Sequence, residues 1–206
     1  MLNKKKVMIS IVLCLLPIIY GLAVYSRLPE MIPTHWNFSG EIDGYTSKNM
    51  FIFGMPLLFA AINAFSIFGV KEDPRNAENQ KTFLFKNFIW LIPIMSNFIM
   101  IITILVSLGY NISVSKLIFV PIAILFIVLG NYMPKCKQNY TIGIRTPWTL
   151  NDEDNWNRTH RFGGKMFVLA GIVTLFSVIT EYAFFVSFVF IFAPTVYSYL
   201  IYKKII

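Results

Sequence analysis

The stretch LIFVPIAILFIVLGNYM (117–133) runs directly into PKCKQNYTIGIRTPWTLNDEDNWNRTHRFGGK (134–165), the longest polar passage of the chain. The first part has no charged residue and is close to the length that an α-helix needs to cross a hydrocarbon core. Five other runs are similarly apolar, at 7–25, 50–70, 88–108, 162–180 and 183–202. The sequence therefore predicts an all-α integral membrane protein, a six-transmembrane-helix bundle with a long cytoplasmic loop (134–165) between helices 4 and 5.

The composition supports this class. Of the 206 residues, 56% are hydrophobic, 17% are aromatic and only 14% are charged, and the mean hydropathy is +0.64. Soluble domains are less apolar. The formal charge of +8 could suggest nucleic-acid binding, but membrane proteins concentrate Lys and Arg in cytoplasmic loops, so no direct nucleic-acid partner is expected. Cys14 lies in an apolar run and Cys136 in the polar passage, so neither a disulfide nor a cysteine-based metal site is expected.

Two features of the apolar runs can be interpreted in more than one way: the nature of the first run, and the boundary between the fifth and sixth runs. The first run follows a basic segment and contains Gly21-Leu22-Ala23, which a signal peptidase could cleave. Its length favours a first transmembrane helix instead. Residues 162–202 would form a helix about 60 Å long, about twice the hydrocarbon thickness. The chain is therefore expected to reverse between the fifth and sixth runs, at Glu181.

The distribution of basic residues predicts the orientation. With the N-terminus in the cytoplasm, only Arg27, Lys48 and Lys116 of the 18 Lys and Arg fall in the outer connections. Lys and Arg are enriched in cytoplasmic loops. We therefore expect a multi-pass protein of the plasma membrane with both the N- and C-termini in the cytoplasm.

The first outer loop, 26–49, contains the segment LPEMIPTHWNFSGEIDGY (28–45). Its prolines fix φ and its glycines permit turns, which predicts a compact, ordered loop. We interpret one set of side chains in it as a docking surface for a peptide or a cation: Pro33, His35, Trp36, Glu41 and Asp43. The alternative is a purely structural loop that aromatic residues anchor at the headgroups and whose Asp and Asn side chains cap its own turns.

The inner polar passage predicts two kinds of local structure. Residues 139–148 have an alternating pattern that is typical of a short extended segment ending in a turn. Asn151 then resembles an N-cap, because acidic residues follow it and basic residues lie near the end of the short helix that it would start. Gly163 and Gly164 are expected to break or hinge this helix before the fifth span. The structural alternative is a surface helix whose tryptophans, Trp148 and Trp156, anchor it at the inner leaflet.

No catalytic set emerges from the sequence. His35 and His160 are expected on opposite faces of the membrane, so they cannot share a metal ion or a catalytic step. The chain also lacks the H-E-x-x-H, P-loop and G-x-S-x-G motifs. We therefore predict no enzyme activity, no cofactor and no metal ion.

Two segments resemble a known family. The residues GIRTPWTL (143–150), followed by Trp156 and RFGGK (161–165), resemble the hallmark segment of the SdpI family. LP (28–29) and IPTHW (32–36), followed by Gly40, Asp43 and Gly44, resemble the domain of unknown function DUF1648 that is often found at the N-terminus of that family. The chain is accordingly expected to be a single membrane domain (1–206), with a DUF1648-like part at 7–70 and an SdpI-like part at 117–202.

This resemblance implies a bacterial plasma-membrane protein that protects its producer from a secreted, membrane-active peptide toxin. Its partners would be membrane lipid, the toxin and, as in the family's founding system, a transcriptional repressor held at the membrane. The outer-loop residues would face the toxin. A second set, in the inner loop, would act in the relay or in recruitment of the repressor: Gly143, Arg145, Thr146, Pro147, Trp148, Trp156, His160 and Arg161.

The residues alone leave two other classes open. A membrane enzyme or transporter acting on a peptide or lipid would use Arg145, Arg158, Arg161 and His160 to bind an anionic headgroup. A purely structural subunit would bind no ligand.

Overall fold

The computed structural model of the chain describes residues 3–37, 40–75, 79, 82–180 and 182–206. Its strands are β1 (Met31–Trp36) and β2 (Ile42–Ser47). Its helices are α1 (Lys4–Ala23), α2 (Met55–Glu72), α3 (Phe83–Asn87), α4 (Leu91–Ser107), α5 (Val114–Leu117), α6 (Phe119–Tyr132), α7 (Pro147–Asn151), α8 (Glu153–Leu175) and α9 (Tyr182–Tyr202). Short 3₁₀ or π turns extend several of these helices.

Six helical stretches in the described part of the chain are long and apolar enough to cross a bilayer: Lys4–Ala23, Met50–Glu72, Phe83–Ser107, Val114–Lys135, Glu153–Val178 and Tyr182–Tyr202. The predicted all-α membrane fold with six spans is thereby confirmed, and the chain is a membrane protein. The reversal predicted at Glu181 falls on a residue outside those described.

The chain divides into two compact units. The first comprises residues 1–69 and 87–117, and it contains α1, the β1–β2 hairpin, most of α2 and α4. The second comprises 70–86 and 118–206, and it contains α6, α7, α8 and α9. Each unit holds one of the two polar segments that the sequence singled out.

The predicted outer loop is a β-hairpin in the first unit. β1 and β2 pair antiparallel, and the Asn37 N–H donates to the Glu41 carbonyl oxygen at the hairpin's end. Gly40, with φ of +82°, supplies the left-handed residue of the turn. A hydrophobic cluster holds the base of the hairpin, and its buried members are Leu28, Ile32, Phe51, Ile52, Met100 and Ile104.

Polar side chains connect the helices of the first unit. Pro17 has no N–H and leaves the Leu13 carbonyl of α1 without its helical donor. Asn97 of α4 donates to that carbonyl oxygen at 2.8 Å. Asn63 of α2 donates to Ser10 Oγ of α1 at 3.2 Å. In an apolar environment such interhelical bonds help to fix which helices associate.

Glycines set the spacing between α6 and α8 in the second unit. A Cβ on Gly130 would lie 2.6 Å from the Gly164 carbonyl oxygen, and one on Gly171 would lie 2.7 Å from the Ala123 carbonyl oxygen. Gly163 and Gly164 lie inside α8, which continues through them to Leu175. The prediction that these glycines break or hinge the helix is therefore wrong. Gly164 lets the backbones of α6 and α8 approach closely, as small residues do in membranes, and Gly163 makes room for the Ile144 and Met133 side chains.

The start of α8 differs from the prediction in two ways: its N-cap lies one residue later, and a short helix, α7, precedes it. Asn151 ends the short helix α7, and Asp152 is the N-cap of α8, its Oδ1 accepting from the N–H groups of Asp154 and Asn155. The acidic first turn of α8, Glu153 and Asp154, was predicted from the favourable interaction with the helix dipole. The sequence pattern indicates an N-cap one residue too early because it gives no sign of the short helix α7.

Candidate functional site

The candidate site of the second unit is formed by residues 136–150, which pack against the N-terminal half of α8 and bond to Asp73, Arg75 and Asn79. We call this arrangement the polar clasp. Its segment 136–146 has no regular helix or strand, so its backbone groups need other hydrogen-bond partners. Asn139, which is fully buried, supplies them: its Nδ2 donates to the Lys137 and Ile142 carbonyl oxygens at 2.8 and 2.9 Å, and its Oδ1 accepts from the Ile142 N–H at 2.6 Å.

Two side chains from 73–79 hold the outside of the clasp. Asn79 Nδ2 donates to the Lys137 carbonyl oxygen at 3.0 Å, and its Oδ1 accepts from the Lys137 N–H at 2.8 Å. Asp73 Oδ2 accepts from the Tyr140 N–H at 2.7 Å and from the Thr141 hydroxyl at 2.9 Å. Both side chains are buried, so these bonds are shielded from competition with water.

Arg75 connects the two ends of the clasp. Its Nη1 donates to Gln138 Oε1 at 3.1 Å and to the Leu150 carbonyl oxygen at 2.9 Å. The guanidinium also lies over the Tyr140 ring, 4.5 Å from its centroid. A planar cation that stacks and donates at once fixes its neighbours more firmly than a lysine could.

Gly143, Trp156 and His160 form the inner wall of the clasp. The Trp156 and His160 rings stack with centroids 3.9 Å apart, and both side chains are buried. His160 Nδ1 donates to the Trp156 carbonyl oxygen at 2.8 Å, and its Nε2 accepts from the Ile144 N–H at 3.1 Å. Because a carbonyl only accepts and an amide N–H only donates, the imidazole in this geometry is neutral and protonated at Nδ1.

The position of Gly143 explains why the hallmark segment has a glycine there. Its φ is +122°, and a Cβ would lie 2.4 Å from His160 Nε2 and 3.1 Å from the Trp156 ring. Any other residue would be strained by the backbone conformation and would also collide with the stacked rings.

Thr146 and Pro147 start α7. Thr146 Oγ1 accepts from the Thr149 N–H at 3.3 Å while Thr149 Oγ1 accepts from the Thr146 N–H at 2.9 Å, so the two threonines form a reciprocal capping box. Pro147 occupies the first helical turn, where its missing N–H costs nothing. The Thr-Pro-Trp-Thr run is therefore a helix start.

Trp148 joins α7 to the end of α9. Its Nε1 donates to Ser198 Oγ at 2.7 Å, and its ring stacks on Tyr202 with centroids 5.7 Å apart. Trp156 is fully buried, and its Nε1 donates to the Cys136 carbonyl oxygen at 2.8 Å. The alternative that Trp156 anchors a surface helix at the lipid headgroups is therefore wrong, because its ring and its N–H are both used inside the protein.

The predicted arginines remain at the surface. Arg145 and Arg161 are exposed, and Arg145 donates through one Nη1 to the Tyr140 carbonyl oxygen. Arg158 lies 3.9 Å from Asp154, the i,i+4 pair expected from the sequence. The clasp thus consists of a buried frame that includes Trp156 and His160, with Gly143 packed against their rings, and an exposed basic surface at Arg145 and Arg161.

Cys136 is part of the buried frame. Its Sγ donates to the Ile142 carbonyl oxygen at 3.6 Å and accepts from Asn139 Nδ2 at 3.4 Å. Burial, the largest cause, raises the pKa of the thiol to about 11. Such a thiol is protonated at neutral pH and acts as a small packing residue, not a nucleophile.

The hairpin residues predicted to face a ligand have mixed positions. Pro33 is buried, Trp36 is half-buried, and His35, Glu41 and Asp43 are exposed. His35 Nδ1 pairs with Asp43 Oδ1, and Glu41 Oε2 accepts from Asn37 Nδ2 at 3.0 Å. Within the described residues, no group of three or more His, Cys, Asp or Glu side chains is placed to hold a metal ion.

A buried lysine fixes the base of the hairpin. Lys48 Nζ donates to Glu30 Oε1 at 2.8 Å and to the Leu28 carbonyl oxygen at 3.4 Å, and it lies 4.5 Å from the Tyr25 ring centroid. Its side chain is only 9% exposed, so these partners must offset the free-energy cost of burying an ammonium group. From its sequence position, Lys48 is predicted only to be a basic residue of the outer loop.

Comparison with known proteins agrees with both segments. Residues 135–201 match the model of the SdpI/YfhL protein family, and residues 12–60 match the domain of unknown function DUF1648. The chain is 33% identical over 211 residues to "Immunity protein SdpI" of Bacillus subtilis (strain 168), and the alignment covers 98% of both chains. The chain belongs to the SdpI/YfhL protein family. No solved structure matches it.

The family match and the geometry select the same region. The SdpI/YfhL match includes residues 136–150 of the polar clasp, α8 and most of α9, and the DUF1648 match includes the whole hairpin. The clasp residues that sequence reasoning missed are Asp73, Arg75, Asn79, Cys136, Gln138, Asn139 and Thr149. The first three lie far from the family segment in sequence, and no periodic pattern connects them to it.

Proposed function

We propose that this protein is a membrane immunity protein that protects its producer from a secreted, membrane-active peptide toxin. The observation that supports this most strongly is the 33% identity to an immunity protein over 98% of both chains. Similarity over the full length includes both the hairpin and the clasp, so it is not confined to one widespread segment.

The proposal includes an orientation. We place the hairpin outside the cell and both termini and the clasp in the cytoplasm, because all but Arg27, Lys48 and Lys116 of the 18 Lys and Arg then lie inside. The exposed hairpin residues, His35, Glu41 and Asp43, are then available to a toxin arriving from outside.

The geometry of His160 weighs against the alternative of an enzyme or transporter that binds an anionic headgroup. His160 is buried and neutral, and both of its ring nitrogens are engaged within the protein. It is therefore a structural residue of the clasp, and the arginines would have to bind such a headgroup without it.

We assign the relay to the exposed basic surface of the clasp. Arg145 and Arg161 have the exposure that a protein-binding surface needs, whereas Gly143, Trp156 and His160 shape the segment that presents Arg145. In this proposal, toxin binding changes how the clasp is presented, and a transcriptional repressor is then held at the membrane.

Deleting the gene tests the immunity function. Cells of the host strain, with and without the gene, are exposed to the apolar peptide fraction of the strain's own stationary-phase culture supernatant. We expect the deletion to lower the peptide concentration that kills half of the cells, and the wild-type gene on a plasmid to restore it. Equal killing of both strains would contradict the immunity function.

Substitution of exposed arginines tests the relay separately. Arg145→Ala and Arg161→Ala, singly and together, are compared with Lys165→Ala, an exposed basic residue of the same helix as Arg161. We expect the double variant to abolish induction of a reporter driven by the gene's own promoter while survival stays at the wild-type level. Normal induction by a stably produced double variant would refute this role.

A further inference from the structure

The sheet that the described residues form has two strands, β1 and β2, so the outer edge of each strand faces no other described strand. In an antiparallel pair, residues alternate between those whose N–H and C=O face the partner strand and those whose groups face outward. Lys48 N–H donates to the Glu30 carbonyl oxygen, and Met31 pairs with Ser47, Ile32 with Thr46 and Pro33 with Tyr45. By alternation, Thr46 faces β1, and the backbone groups of Tyr45 and Ser47 point away from it.

The two outer edges of the hairpin differ. On β1 the outward position opposite Tyr45 is Pro33, which has no N–H to donate and is buried. On β2 the outward residues, Tyr45 and Ser47, are not prolines, so Tyr45 keeps an N–H and a C=O that point away from β1. β2 contains neither proline nor lysine, the residues that usually protect an exposed edge from pairing.

The surroundings of this edge indicate the chemistry of a partner. Exposed apolar side chains lie along the hairpin, with Tyr45 56%, Met31 54% and Ile42 39% exposed. The charged side chains of 28–49 are Glu30, Glu41, Asp43 and Lys48, and the lysine is buried against Glu30. The hairpin is thus an acidic, partly apolar surface on a chain whose formal charge is +8.

We propose that the outer edge of β2 is a docking site for an extended, cationic and apolar segment of the secreted peptide, which adds a third strand beside Tyr45 and Ser47. This inference rests on the proposed immunity function and specifies how the toxin is recognised. Backbone pairing supplies the affinity in this mode of recognition, and the acidic side chains favour a basic partner.

Tyr45→Pro tests the proposal in cells. It removes the outward N–H without removing a β1–β2 hydrogen bond, because Tyr45 occupies a position equivalent to Pro33 on the other strand. The matched control, Tyr45→Phe, keeps the N–H and the ring. In the deletion strain, we expect Tyr45→Pro to lower the half-killing concentration of the supernatant peptide fraction by about tenfold, the effect of losing one or two hydrogen bonds, while Tyr45→Phe protects like the wild type.

Hydrogen exchange on the wild-type protein provides a second test. The protein in lipid nanodiscs is measured with and without the active peptide purified from that fraction. We expect the Tyr45 amide to exchange about tenfold more slowly with the peptide, as a newly paired amide does, and the Thr46 amide to be protected in both conditions.

The outcomes separate the two proposals. If the wild-type gene gives no protection, the immunity function fails. If the wild type protects, but Tyr45→Pro protects equally and the Tyr45 amide exchanges at the same rate with peptide, the edge proposal is wrong while the immunity function stands. Protection of the Tyr45 amide that depends on protein concentration and not on peptide would also overturn it, because the edge would then pair with a second copy. If Tyr45→Pro does not reach the membrane, the exchange measurement on the wild type decides.

Discussion

At the scale of single residues, Gly143 determines how closely 142–144 can approach the stacked Trp156 and His160 rings. Replacing it by alanine adds a methyl group that would lie 2.4 Å from His160 Nε2 in a backbone with φ of +122°. We expect Gly143→Ala to lower the stability of the protein by about 2–4 kcal/mol, because conformational strain and a steric collision add. Thermal unfolding of the purified protein in detergent measures this effect.

Gly109→Ala is the matched control for that substitution. Gly109 also has a left-handed φ, +90°, but nothing lies within 4 Å of its Cβ position. Gly109→Ala should therefore lower the stability of the protein only by the cost of placing alanine in a left-handed conformation, about 1–2 kcal/mol. Equal losses for the two variants would show that Gly143 is needed for its backbone conformation alone and that the contact with the rings is unimportant.

Cys136 tests the buried frame of the clasp by its chemistry. A pKa of about 11 instead of 9.0 lowers the thiolate population at neutral pH about 100-fold. In a Cys14→Ala background, maleimide should label Cys136 at least that much more slowly in the folded protein than in denaturant. The labelling rate should rise with pH, because the thiolate is the reactive form. Asn139→Ala, which opens the turn around the thiol, should speed the labelling, and equal rates in all three samples would contradict a closed clasp.

At the scale of elements, apolar length predicted the six spans because the hydrocarbon core allows few alternatives to a helix of about 20 residues. The helix and strand propensities of the residues gave wrong predictions where tertiary packing determines the local structure. Gly163 and Gly164 are poor helix formers, yet α8 continues through them because Gly164 lies against the α6 backbone and Gly163 against the Ile144 and Met133 side chains, where larger residues would not fit. The hairpin was predicted only as an ordered loop, since Pro33 and the short strands give a weak strand pattern.

The glycine contact between α6 and α8 gives a prediction of its own. Gly130→Ala would place a Cβ 2.6 Å from the Gly164 carbonyl oxygen and 2.7 Å from the Val168 amide nitrogen. Both obstacles are backbone atoms, so the helices must move apart, and we expect a loss of about 1–3 kcal/mol. Gly69→Ala in α2 meets nothing within 4 Å and should be neutral or stabilising by up to about 1 kcal/mol, because alanine favours a helix. Unfolding of both variants in mixed micelles compares them, and equal stability would show that the two helices are less tightly apposed.

At the scale of the whole molecule, the sequence revealed the class and the family segment but not the partners of that segment. GIRTPWTL marked the clasp, whereas Asp73 and Asn79 reach it from more than fifty residues away through single side-chain bonds. Contacts of this kind leave no periodicity in one sequence. Two residues of the predicted inner-loop set, Trp156 and His160, are buried, so a partner can reach only the others, such as the exposed Arg145 and Arg161.

The orientation is the whole-molecule property on which both proposals depend, and it can be tested by labelling. Ser26→Cys lies at an exposed position before the hairpin and Ile206→Cys at the exposed C-terminal end. Because Lys and Arg concentrate in the segments assigned to the cytoplasm, a membrane-impermeant maleimide should label Ser26→Cys in intact cells and Ile206→Cys only after lysis. Cys136 contributes little background, since its thiol is buried and protonated. The reverse labelling pattern would place the hairpin inside, where a secreted peptide does not reach it, and the β2 edge could then not serve as the docking strand.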